Sequence, residues 1–86
     1  MRLITHKQFN KAYAKAPEII QKKYKERRNL FLTNPFHPFL NNHALTGEYS
    51  GCRSINITGD WRVIYRMKEL DMVEFLKFGT HSELYT

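Results

Sequence analysis

Between Cys52 and Phe78 the apolar pattern has a period of two and is interrupted by two short turns. No other feature of the chain limits its fold as tightly. Cys52 to Ile57, Trp61 to Met67 and Met72 to Phe78 read as strands. Thr58-Gly59-Asp60 and Lys68-Glu69-Leu70-Asp71 have the length of hairpin turns, so the three strands are expected to be consecutive and antiparallel.

The first half has a different period. Phe9, Ala12, Tyr13 and Ala16 recur at helical spacing, with Lys7, Lys11 and Lys15 forming a separate basic stripe. Thr5-His6-Lys7-Gln8 has the Thr-x-x-Gln spacing of a capping box, which places a helix start there. Pro17 and Glu18 suit the first turn of a second helix. Ile20, Tyr24 and Phe31 mark its buried side, with Ile19 and Leu30 flanking. It should end near Asn34, because Pro35 disfavours helical geometry in the residue before it. The two helices are expected to form an antiparallel hairpin, one face apolar and one strongly cationic. Asn34 to Asn42 is a Pro- and Asn-rich connection whose aromatic residues are expected to tack it onto the core. Met1 to Ile4 is compatible with a short first strand. The expectation is an α+β fold: a single domain over residues 1–86, with a helical hairpin packed on an antiparallel β-sheet.

Charge narrows the partners. Of the net +6, residues 1–42 hold nine Lys/Arg against two acids, and residues 43–86 hold five against six. The first half is a cationic body, which suits a polyanion or an acidic protein. Cys52 is alone, which excludes an internal disulfide or a Cys-rich zinc site and leaves it as a small apolar strand residue. Met1 to Ile4 runs into polar residues without a leader-like apolar region, and no apolar run approaches the length needed to span a bilayer. A cytoplasmic protein with no membrane attachment is expected.

Four histidines without a Cys cluster or a His-Glu-x-x-His helix give no metal site, and no cofactor is expected. His6 and His37 read as ordinary surface residues. His43 and His81 each stand at a loop flanking the sheet, and Asp60, Trp61, Arg62, Lys77 and Tyr85 lie at strand ends or just beyond them. Singly, each has a structural explanation: Asp60 as a turn residue, Trp61 as a sheet-face residue, Arg62, Arg66 and Lys77 as solvated charges, Tyr85 as cover for the core edge. Together they match what RNA cleavage requires. One group takes the 2′-OH proton, another protonates the leaving 5′-oxygen, cations hold the developing phosphorane charge and rings stack on bases.

The ordered set His43-x-Leu45-x-Gly47, Gly51-x-Arg53-Ser54-x-x-Ile57-x-x-Asp60-x-Arg62-Val63-Ile64-Tyr65 and Gly79-Thr80-His81-x-x-Leu84-Tyr85 resembles the RelE/ParE toxin superfamily. Within it, the match is closest to the YafQ-like ribonuclease toxins of type II toxin-antitoxin systems. The resemblance implies a microbial-ribonuclease-like fold and metal-free cleavage of mRNA on the ribosome. It also implies a cognate antitoxin as partner; the free toxin is expected to be a monomer. By position, His43 matches the general base and His81 the general acid. Asp60 and Trp61 match an Asp-Trp pair that positions substrate and acid-base groups. Arg62 matches a residue set against the scissile phosphate, and Tyr85 a supporting C-terminal aromatic. Two positions depart from the pattern: Asn56 stands where the YafQ-like pattern has a second His, and Lys77 where it has an Arg. Asn56 cannot exchange a proton near neutral pH, and Lys77 lacks the planar two-pronged grip on phosphate. Two other readings remain open: a ParE-like poison of DNA gyrase without nuclease chemistry, and a non-catalytic RNA-binding domain.

Overall fold

The computed structural model describes residues 1–85. β1 (Arg2–Thr5) leads into α1 (Lys7–Lys15) and α2 (Glu18–Thr33). After a 3-10 turn at Pro38–Leu40 come β2 (His43–Ala44), a second 3-10 turn at Gly47–Tyr49, β3 (Arg53–Asn56), β4 (Trp61–Glu69), β5 (Met72–Thr80) and the single-turn α3 (His81–Leu84). The five strands form one sheet in the order β1-β5-β4-β3-β2.

The expected meander is present: β3, β4 and β5 pair antiparallel in sequence order. The sheet as a whole is mixed, which corrects the all-antiparallel expectation. β1 lies parallel to β5, with Leu3 opposite Val73 and Thr5 opposite Phe75. Parallel strands need a long crossover, and here the two helices belong to the chain that separates β1 from β5. β3 begins at Arg53, so Cys52 lies just before the strand, where its carbonyl accepts from Leu45 N–H.

α1 is not capped by the Thr5–Gln8 box. Thr5 is consumed as the last residue of β1, and His6 becomes the N-cap, its Nδ1 accepting from Gln8 N–H at 3.1 Å. His37 caps the Pro38–Leu40 turn in the same way, accepting from Phe39 N–H at 3.1 Å. Both histidines therefore have backbone-capping roles. α2 ends at Thr33, as Pro35 requires. The two helices double back on each other: Tyr13 exchanges hydrogen bonds with Gln21, and Phe9 packs on Tyr24 with ring centroids 5.4 Å apart.

The core lies between these helices and one sheet face. Phe9, Tyr24 and Phe31 meet Ile55, Ile57, Val63, Tyr65, Val73, Phe75 and Phe78. Phe31 and Phe75 are fully buried, and truncating either to Ala would cost about 3–5 kcal/mol. The Asn34–Asn42 connection does not follow its expectation. Leu40 alone of its large apolar residues is buried, whereas Phe36 and Phe39 are each 66% exposed.

A β-bulge decides what the second sheet face carries. Ile64 pairs with Lys77 but Tyr65 pairs with Phe75, leaving Leu76 as the extra residue. Without the bulge, strict alternation would send Lys77 to the same side as Phe75. With it, Phe75 and Phe78 both face the helices and Lys77 turns to the far side. Among the described residues, no helix is long and apolar enough to cross a membrane.

Candidate active site

Since core residues alternate along each strand, their neighbours define the far face of the sheet. Cross-strand partners place His43, Ser54, Ile64 and Lys77 on one transverse row, and Asn56, Arg62 and Gly79 on the next. Asp60 and His81 stand at the end of this face. The backbone N–H of His81 donates to Asp60 O at 2.9 Å, so α3 begins locked to the turn that precedes β4. The sequence spacing of 21 residues between Asp60 and His81 is thereby closed by one hydrogen bond and by the pairing of Trp61 with Thr80.

Polar atoms on this face are left without partners. Asn56 Oδ1, Arg62 Nε, Ser54 Oγ and Tyr85 OH are buried and make no hydrogen bond among the described residues. Folded proteins pair nearly all such atoms, because each unpaired one costs about 1–3 kcal/mol. Asn56 and Arg62 are direct cross-strand partners, yet the amide acceptor and the guanidinium donor are not bonded to each other. The Arg62 side chain is instead held by its outer nitrogen, Nη2 donating to Gly59 O at 3.2 Å. Nε is left without a partner among the described residues and without exposed surface.

His43 has a defined proton arrangement. Its Nδ1 lies 2.7 Å from Asn41 O, and a carbonyl oxygen only accepts, so Nδ1 carries the hydrogen and Nε2 keeps a free lone pair in the neutral ring. Asn41 presents that carbonyl from a left-handed backbone conformation, with φ 45°, which an Asn tolerates better than most residues. The sheet order separates His43 from β5 by three inter-strand spacings, about 14 Å. The two histidines thus stand on opposite sides of the face.

At the His81 side, Tyr49 is a residue that sequence reasoning did not single out. Its hydroxyl donates to Leu84 O at 2.9 Å, its ring meets Tyr85 edge-on at 5.8 Å, and Lys77 Nζ lies 5.4 Å from its ring centre and 3.5 Å from its hydroxyl. Tyr85 in turn lies 4.9 Å from the His81 ring. Tyr49 therefore moors α3 and Lys77 to each other across 28 or more residues of chain. A Gly47-x-Tyr49 segment just before the strands was the available signal, but nothing local ties it to the C-terminus.

α3 is further held by a capping box. Thr80 Oγ1 accepts from Glu83 N–H, and the Glu83 carboxylate accepts from Thr80 N–H at 2.8 Å. The Thr80 N–H foremost, and with it the Thr80 hydroxyl, which donates to the same carboxylate oxygen at 3.0 Å, hold the Glu83 carboxyl below its ordinary value. Gly79 sits beneath this box: a Cβ there would stand 3.1 Å from Glu83 Oε1.

Trp61 does not join the cluster. It lies on the helix side of the sheet, its ring 5.4 Å from Phe78, and walls a groove of about 400 Å³ with Lys11 and Lys15 of α1, a groove that Lys77 and Glu83 also line at the β5 edge. Its support to the face is from behind. Arg66 is not a free solvated charge either, since its guanidinium pairs with the buried Glu74 carboxylate at 3.0 Å. Among the described residues, no three His, Cys, Asp or Glu side chains gather closely enough to hold a metal ion.

A family model described as the bacterial toxin of type II toxin-antitoxin system, YafQ, matches residues 1–86. The chain belongs to the YafQ toxin family. The mRNA interferase toxin YafQ of Escherichia coli K12 is 27% identical to it over 86 residues, covering 91% of this chain and 92% of that protein. Crystalline YafQ from E. coli BL21(DE3) has the same fold, with a TM-score of 0.79 at 24% identity and full coverage of both chains. YafQ in the E. coli DinJ-YafQ toxin-antitoxin complex matches with a TM-score of 0.71 at 24% identity, covering 98% of this chain and 96% of that one. The helical hairpin on a sheet expected from the resemblance is thus the fold of this YafQ-family toxin.

Proposed function

We propose that this toxin is an endoribonuclease that cuts mRNA on the ribosome by attack of the 2′-OH, and that the far sheet face is where it does so. The observation that carries the reading is the pair of buried, unpartnered polar atoms Asn56 Oδ1 and Arg62 Nε on cross-strand partners, on a face bounded by two histidines, with a further unpartnered hydroxyl on Tyr85 beside His81. The likeness to the E. coli mRNA interferase toxin YafQ supports it.

In this mechanism His43 Nε2 takes the proton of the 2′-OH as the 2′-oxygen bonds to phosphorus. The bond from phosphorus to the 5′-oxygen breaks, and His81 donates a proton to that oxygen. The products are a 2′,3′-cyclic phosphate and a 5′-OH, and the protein ends with one proton moved from His81 to His43. Arg62 Nε and the Lys77 ammonium carry the extra negative charge of the phosphorane. Asn56 accepts a hydrogen bond from the substrate without relaying a proton. Asp60 and Trp61 position the His81 turn, through the Asp60 backbone and the Trp61–Phe78 packing.

A second assignment within the same reaction is favoured by the width of the sheet. Asp60 is exposed, its carboxylate forms no ion pair among the described residues, and it adjoins His81, whereas His43 is about 14 Å of sheet away from β5. Asp60 would then be the base and His43 a phosphate or base contact. The pH dependence of single-turnover cleavage separates the two: loss of the limb reporting the base in His43→Gln supports the first assignment, and its loss in Asp60→Asn supports the second.

The partners follow from the family and the charge. The cationic helices suit ribosomal RNA phosphates, and a small antitoxin, as DinJ is for E. coli YafQ, covers the free toxin, a cytoplasmic monomer. Induction of the chain without an antitoxin should arrest growth with cut mRNA, and folded His81→Ala should not. DNA damage with intact mRNA would replace this reading by gyrase poisoning, and absence of growth arrest by simple RNA binding.

A further inference from the structure

We propose that Phe36 and Phe39, backed by Arg53 and Arg27, form a stacking platform for unpaired bases of an RNA strand passing over the β2–β3 edge toward the site. The inference rests on the ribonuclease reading and adds a binding subsite to it.

Two large aromatic side chains, each 66% exposed, stand within four residues of each other on a connection that contains no acidic residue. Each ring has a guanidinium against it. Arg53 Cζ lies 5.3 Å from the Phe36 centroid and Arg27 Cζ 5.0 Å from that of Phe39. A partly exposed ring with a cation on one side offers its remaining surface to a flat π system and the cation to an adjoining phosphate. Unpaired nucleotides present both groups in alternation. An acidic peptide would match the cations but has no repeating flat surface for two rings.

The rings are also held in place before any partner arrives. Pro35 and Pro38 restrict the backbone, Leu40 anchors the turn in the core, and His37 caps it by accepting from Phe39 N–H. Asn42 ties the far end back, its amide donating to Pro35 O at 2.9 Å. A rigid loop loses little entropy on binding, so its exposed rings are pre-organised contacts. The platform borders the site at the sheet edge: His43 follows Asn42 directly on the far face, while Arg53, opposite Ala44 and Tyr65, stands on the helix side of the same edge.

The test uses the whole chain and a single-stranded RNA decamer carrying 2′-O-methyl groups throughout, which binds but cannot be cut. The double substitution Phe36→Leu with Phe39→Leu keeps apolar bulk and removes the flat rings. Stacking is worth about 1–3 kcal/mol per base, so Kd should rise at least about tenfold, and a decamer with abasic positions should bind wild type and variant alike. Equal Kd for wild type and folded variant on the intact decamer overturns the platform while leaving cleavage by the wild type unaffected. Normal RNA binding with loss of antitoxin binding overturns it in favour of a protein-docking surface. A platform that binds as expected in a chain that cuts no RNA would sink the ribonuclease reading and not this one.

Discussion

Replacing Arg62 by Lys keeps the charge on the far sheet face and removes one atom of interest, the buried Nε donor. In the free toxin that donor has no partner, a condition worth about 1–3 kcal/mol of destabilisation. A lysine methylene in its place removes the penalty. The same substitution loses the Nη2 bond to Gly59 O, worth about 0.5–1.5 kcal/mol. The net effect on folding therefore lies between about 0.5 kcal/mol of destabilisation and about 2.5 kcal/mol of stabilisation. At roughly 4–8 °C per kcal/mol for a domain of this size, Tm should rise, or fall by no more than about 4 °C. Catalysis should move the other way: losing one pre-organised donor to a developing oxyanion costs about 100- to 1,000-fold. Urea denaturation gives the first quantity and single-turnover cleavage of ribosome-bound mRNA the second. A variant destabilised by more than about 1 kcal/mol would make Arg62 a structural residue. One that cuts within about threefold of wild type would show that Nε grips no phosphate.

Tyr49→Phe retains the ring contacts with Tyr85 and Lys77 but loses the bond to Leu84 O, so α3 should open about fivefold more often, for about 1 kcal/mol. Amide hydrogen exchange over residues 81–85 reads this directly, and an unchanged rate would remove Tyr49 from the mooring of His81. Burial pushes the Tyr24 phenol from 10.0 up to about 12, so the unfolded chain ionises first and stability present below pH 10 declines as pH rises toward 12. Urea denaturation from pH 9 to 11 should show that slope in wild type and a flatter one in Tyr24→Phe; the same slope in both would contradict it. The depressed Glu83 carboxyl works in the opposite range: its contribution is present above about pH 4.5 and is lost as pH falls through the lowered value. NMR titration of Thr80→Ala should find that value moved only part of the way back, because the Thr80 backbone N–H, the larger cause, remains.

The elements visible in the sequence are those specified by neighbours along the chain. Two short turns force consecutive antiparallel strands, and Pro35 stops α2, so the meander and the helix end could be read directly. Partners far apart in sequence could not. The parallel pairing of β1 with β5 rests on hydrophobic burial across about 70 residues, and it takes Thr5 out of the helix cap, which passes to His6. Phe36 and Phe39 read as core residues by composition, but the capped 3-10 turn directs Leu40 inward and leaves both rings outside. The site residues were identifiable by type and order, yet their placement needed the register. Asn56 and Arg62 meet because β3 and β4 pair, Lys77 reaches their face because of a bulge, and Trp61 lands on the opposite one. Tyr49 carried no local signal, since its role is defined by a carbonyl 35 residues away.

The most direct test of RNA cleavage by 2′-OH attack on this face is single-turnover reaction with a ribosome-bound mRNA carrying one 2′-deoxy nucleotide at the scissile position. The wild-type toxin should leave that bond intact while cutting the all-ribose message to a 2′,3′-cyclic phosphate and a 5′-OH. Cleavage at the 2′-deoxy position at an undiminished rate would contradict the mechanism, because no nucleophile on that nucleotide would then be required.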